Sequence, residues 1–115
     1  MNDVANKYFS AFTKDKVEDG PYAEVCHRWE GGLQTTAKTP KCSPQGLGLY
    51  LNHTHRRFPV TDLEKGITTG FMNFGGGLPD VHIFKFNEKG EVYLINAVFG
   101  GRLQGDHAVW PDETR

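Results

Sequence analysis

The 115-residue chain has no long hydrophobic run, and nothing approaches the roughly 18 consecutive apolar residues of a membrane-spanning helix. It also lacks an excess of either charge. Thirteen Lys and Arg stand against fourteen Asp and Glu, a formal net charge of −1. That balance argues against a nucleic-acid footprint and against a cationic membrane surface. The strongest basic cluster, HTHRR at 53–57, is too short to be such a footprint by itself. Cysteine is scarce. Cys26 and Cys42 form no CxxC and have no metal-ligand spacing, so a thiolate metal centre is excluded. Two buried free thiols are expected, and a single disulfide, which would argue for an oxidising compartment, is the other reading. The glycine run at 75–77 is followed by no Lys-Ser/Thr pair and opens no helix, which excludes a phosphate loop. There is no serine or cysteine nucleophile motif, no internal repeat and no low-complexity tract. The N-terminal MNDVANKYFS lacks the charged-then-apolar pattern of a signal peptide. A cytoplasmic location is therefore expected, or a secreted one if a leader was trimmed.

What is present describes one small domain over residues 1–115, with a hydrophobic fraction of 37% and room for one core. Residues 2–14 read as a helix, with Val4, Tyr8, Phe9 and Phe12 on one stripe and Asp3 in the first turn. YAEVCHRWE, 22–30, alternates as a strand until Gly31 and Gly32 stop it. A possible short strand and a loop follow. SPQGLGLYLN suggests a short helix start with Ser43 as N-cap and Pro44 in the first turn. RRFPVTDLEKGITTGFMNF reads as two strands around DLEKG, with Pro59 marking an edge or a bulge. GGGLPD reads as a loop. VHIFKFNEKGEVYLINAVFG reads as a long antiparallel hairpin turning at NEKG, and the segment after Gly101 reads as irregular. The fold class is α+β: a curved antiparallel sheet wrapped around the N-terminal helix, forming a cone with a central pocket.

Three residues could converge on such a pocket. Tyr8 lies on the apolar stripe of the helix, Glu30 at the end of the first strand, and His82 near the start of the hairpin on the face of Phe84 and Phe86. A carboxylate in apolar surroundings becomes a better base near neutral pH, and a phenol and an imidazole can donate to a developing oxyanion. Proton abstraction next to a carbonyl, or elimination of water from a β-hydroxy carbonyl, needs this kit. Arg28 shares the face of Glu30. It could anchor a substrate, or pair with Glu30 and weaken it as a base. His53 and His55, two apart, could share one side of a strand, but no third metal ligand is placed. With Arg56 and Arg57 they make either an anion-binding patch or a solvated face. His107 and Trp110 could close over the pocket mouth.

The order of helix, PYAEVCHRWEGG, short helix, VTDLEKG and HIFKFNEKGEVYLINAVFG resembles the ketosteroid isomerase and scytalone dehydratase superfamily, the SnoaL-like cone fold of nuclear transport factor two. CHRWEGGLQTT with RRFPVTDLEKG also looks like an uncharacterised, largely fungal family within it, with an acid–Asn/Gly–Gly–x–Gln–Thr–Thr signature. The resemblance implies that Tyr8 is an oxyanion donor, Glu30 the catalytic carboxylate and His82 the second donor. In this chain the base is Glu and the second donor His. Met72, Phe84, Ile95 and Phe99 would line the wall.

The resulting expectation is a cofactor-independent lyase (dehydratase) or isomerase. It would act by proton abstraction on a small oxygenated substrate, with no metal, no nucleic-acid or membrane partner, and a homodimer formed through the sheet. A non-catalytic small-molecule-binding or dimerisation module is the alternative. An epoxide-type hydrolase, with Glu30 activating water and His82 or Asp80 as the acid, is the third.

Overall fold

The computed structural model describes residues 1–12, 18–36, 38–45, 53–74 and 78–100. Helix α1 (Asn2–Ser10) is followed by six strands: β1 (Tyr22–Glu30), β2 (Leu33–Gln34), β3 (Thr54–Asp62), β4 (Ile67–Phe74), β5 (Leu78–Phe86) and β6 (Val92–Phe99). They form one curved, open sheet in the order β2-β1-β6-β5-β4-β3. Among the described residues no helix is long and apolar enough to cross a membrane.

The helix is where its apolar stripe places it. Tyr8 and Phe9 are buried within it and Phe12 just beyond it. Their rings meet the sheet edge-on: Tyr8 and Phe9 lie 5.4 and 5.5 Å from Phe84. Gly70 lets the helix come this close, because a Cβ there would meet the Phe9 ring at 2.9 Å. Asn2 ties the start of the helix to β4, its side-chain oxygen accepting from the buried Thr68 hydroxyl at 2.6 Å.

β1 has the bounds expected from its alternation, LEKG (63–66) lies between β3 and β4 with Asp62 closing β3, and NEKG lies between β5 and β6. Pro59 sits on the edge strand β3, whose register against β4 shifts twice. Edge strands and bulges tolerate a missing N–H. Four expectations need correcting. The sheet is mixed, because β1 runs parallel to β6 while the other pairs are antiparallel. Alternation shows which side chains share a face but carries no information about strand direction. Leu78, Pro79 and Asp80 belong to β5 and pair with Phe74, Asn73 and Met72; Pro79 is tolerated because it stands at the beginning of its strand. The cysteines are bonded: Cys26–Cys42, with a Cα–Cα distance of 5.5 Å. Cys26 is on the inner face of β1, and Pro40 O accepts its backbone N–H at 2.9 Å, which brings the 38–42 segment within bonding reach. Finally, the described helix ends at Ser10 rather than Lys14, and Phe12 reaches the core from a turn. The short helix expected after Ser43, the glycine run and the C-terminal segment with His107 and Trp110 lie wholly or mainly outside the described residues; within 43–45 there is only a turn in which Ser43 Oγ accepts the Gln45 N–H.

Candidate functional site

Strand register places the expected strand residues on one face of the sheet. Residues paired across neighbouring strands point to the same face. Arg28, Ile95, Phe84 and Thr68 form one row across the sheet. Glu30, Ala97, His82 and Gly70 form the next, and Phe99, Asp80 and Met72 a third. All the expected site residues except Tyr8 therefore share one face, and Tyr8 descends onto that face from α1. Met72, Phe84 and Ile95 are fully buried, whereas Phe99 is 49% exposed at the end of its strand, against Gly31. Ala97 stands between Glu30 and His82 in the register, so their Cα atoms are about 10 Å apart across one intervening strand.

At the centre is a buried acid–imidazole pair. His82 Nδ1 lies 2.5 Å from Asp80 Oδ1, and neither side chain reaches solvent appreciably. A carboxylate only accepts hydrogen bonds, so Nδ1 donates and, in the neutral ring, Nε2 carries the lone pair. Nε2 is buried and has no hydrogen-bond partner among the described residues. Aromatic rings enclose it: Phe74 stacks at 6.1 Å, Phe84 at 5.9 Å, and Tyr8 lies 5.6 Å away.

The Tyr8 hydroxyl is likewise buried with no hydrogen bond of good geometry among the described residues. Burial pushes its pKa well above the ordinary tyrosine value. Arg28 pulls the other way, and Glu30 and Asp80 add to the rise. The phenol therefore stays neutral and keeps its proton for donation.

Arg28 is buried, and two of its guanidinium nitrogens hold protein acceptors. Nε donates to Thr35 Oγ1 at 3.0 Å and Nη1 to the Cys42 carbonyl at 2.9 Å. Nε also stands 3.8 Å from Glu30 Oε1. Glu30 is more open than the expected desolvated base, with its side chain 29% exposed at the strand end. Gly31 and Gly32, both at positive φ, end the strand there by turning the chain back towards β2.

The HTHRR cluster is dispersed. His53 is buried among Phe9, Phe12 and Phe74. His55 adopts φ 57°, a left-handed conformation at the first β3 irregularity, which breaks the parity that would have aligned the two imidazoles. Arg56 anchors the helix through Asn6, Ser10 and the His53 carbonyl, and Arg57 lies over the Phe71 ring. Among the described residues no three His, Cys, Asp or Glu side chains group as metal ligands.

Burial lowers the pKa of His53 to about 3, with His82 and Arg56 adding to the effect. With the folded value depressed below the ordinary 6.5, the unfolded chain binds the extra proton first. Stability is then full above about pH 6.5 and falls towards pH 3, by up to about 1.4 kcal/mol per pH unit. Urea unfolding between pH 7 and 4 should show this slope, and His53→Phe should reduce it. An unchanged slope would contradict the assignment.

Sequence reasoning treated Asp80 only as a possible second acid, not as the partner of His82. The signal was there in DVH, where an acid two residues before an inward histidine on an alternating strand must share its face. The place of Ala97 between Glu30 and His82 carried no signal without the register.

Fold and site together define an α+β domain with a buried polar cluster between its helix and its sheet. The chain belongs to the family described as a domain of unknown function (DUF8021), whose model matches residues 1–99. No curated protein matches the chain, and no solved structure does.

Proposed function

We propose that this domain is a cofactor-independent lyase or isomerase of the SnoaL-like cone superfamily, acting by proton transfer on a small carbonyl-bearing substrate. The observation that carries the reading is a pair of buried polar atoms on packed elements, Tyr8 Oη and His82 Nε2: among the described residues neither makes a hydrogen bond of good geometry, and the Arg28 side chain acts on the phenol. Each costs about 1–3 kcal/mol relative to a satisfied group, a cost that a ligand's polar atoms would offset. Glu30 takes the proton next to the carbonyl, and Tyr8 donates to the oxygen that gains charge. In the elimination, His82 in its imidazolium form, stabilised by Asp80, gives its Nε2 proton to the departing hydroxyl, which leaves as water. Glu30 is then protonated and His82 neutral, and proton exchange with solvent restores both. Arg28 orients the substrate and holds Glu30.

Tyr8→Phe separates this reading from a passive core. Removing an unsatisfied hydroxyl should leave stability unchanged or raise it by about 1 kcal/mol, while turnover falls about 10²-fold. A stability loss with unchanged turnover on an identified substrate would refute the role.

The homodimer expected from the sequence would use the opposite sheet face, where Trp29, Asn96, Ile83, Thr69 and Val60 form one row and Val98, Val81, Phe71 and Arg57 another. Val98 and Val60 are each more than half exposed there, and apolar area of this kind marks an association surface. Light scattering should give twice the 12.9 kDa chain mass; the monomer mass at high concentration would contradict it. The buried disulfide favours an oxidising compartment over the cytoplasm.

A further inference from the structure

On the loop side of Arg28 lies an open depression of about 480 Å³, lined by Arg28, Gln34, Thr35, Thr36, Lys38, Thr39, Lys41, Ser43 and Gln45. Three of these residues are cationic and none is acidic. We infer that this depression is a binding site for a small organic carboxylate.

The site is held in place by the fold rather than formed by chance surface lysines. Residues 35–36 and 38–42 are fastened to β1 at several points. Thr35 N–H donates to the Arg28 carbonyl, the Thr36 hydroxyl accepts the Arg28 N–H at 2.8 Å, Pro40 accepts from Cys26, and the disulfide closes the far end. Arg28 forms the floor. Its guanidinium is buried and held by Thr35 and Cys42, so its charge is fixed without a further entropy loss when a ligand arrives. Lys38 and Lys41 stand exposed at the rim. Lys41 Nζ donates to the Glu24 carbonyl at 3.3 Å, which positions one ammonium and leaves it other protons for a ligand.

Among the described residues two acids bear on the site. Glu30 stands 3.8 Å from Arg28 Nε but is not part of the lining. Asp19 accepts from Tyr22 and Ser43 and so occupies the Ser43 hydroxyl. The local balance remains positive. Threonine methyls and lysine stems supply apolar wall beside the charges, which suits a carboxylate with an apolar body better than a bare inorganic anion. The depression shares only Arg28 with the interior cluster, and its occupancy does not depend on turnover.

The test is calorimetric titration of the oxidised protein, at low ionic strength, with benzoate, its neutral analogue benzamide, and inorganic phosphate. Benzoate should saturate, weaken with added salt and bind more tightly than phosphate, and benzamide should not bind. The double variant Lys38→Gln/Lys41→Gln, altered only at exposed positions, should lose about tenfold in benzoate affinity. The inference is overturned if benzoate does not saturate, if benzamide binds equally well, if the double variant binds unchanged, or if phosphate is the tighter ligand.

Discussion

Glu30→Gln should lower turnover by about 10²–10⁴-fold, the usual worth of a positioned general base, and leave the fold intact. The amide keeps the shape of the carboxylate but cannot accept the substrate proton. The loss to stability should be small for three reasons. Glu30 is part-exposed at a strand end, its contact with Arg28 is 3.8 Å long, and Arg28 keeps Thr35 and Cys42 as partners. An ion pair of that kind contributes about 0–1 kcal/mol. Thermal unfolding should therefore hardly change while kcat collapses. If Glu30→Gln kept near-normal turnover on an identified substrate, the carboxylate would be a clamp for Arg28 and not the base.

Loss of the Cys26–Cys42 bond should destabilise the domain by about 2–4 kcal/mol. The bond closes a loop with a sequence separation of 16, and a cross-link over a loop of that size removes about 3 kcal/mol of chain entropy from the unfolded state. A domain this small has little stability to spare. The thiols left behind are small and apolar in character, so their burial adds little penalty, and the effect should come from the unfolded chain. Urea unfolding of the oxidised protein against Cys26→Ala/Cys42→Ala measures it. A difference below about 0.5 kcal/mol would mean that the backbone contact from Cys26 to Pro40 holds the loop without the bond.

Parity read the inner face well. YAEVCHRWE placed Cys26, Arg28 and Glu30 together, and VHIFKF placed His82 with Phe84, because side chains alternate whatever the strand pairs with. The helix stripe likewise put Tyr8 against the sheet. What could not be read was what depends on distant partners. The parallel β1–β6 pairing, the disulfide and the placing of Ala97 between Glu30 and His82 all arise between segments far apart in sequence. His55 defeated the parity argument locally, because a left-handed residue and the register shift beside it break the alternation there. The openness of Glu30 follows from Gly31 and Gly32, which turn the chain away before anything covers the acid. The sequence had left open whether Arg28 grips Glu30. In the structure the contact is present but long, and Arg28 is held chiefly by Thr35 and Cys42.

The central claim is that Glu30, Tyr8 and the Asp80–His82 pair move protons on a carbonyl compound. The most direct test is to incubate the protein in D2O with a panel of small β-hydroxy and enolisable carbonyl compounds and to follow them by proton NMR. The account predicts that at least one compound loses water or exchanges the proton next to its carbonyl, with the reaction lost in Glu30→Gln and strongly slowed in Tyr8→Phe. A compound processed equally by wild type and Glu30→Gln, or a panel left untouched by the wild type, would contradict it.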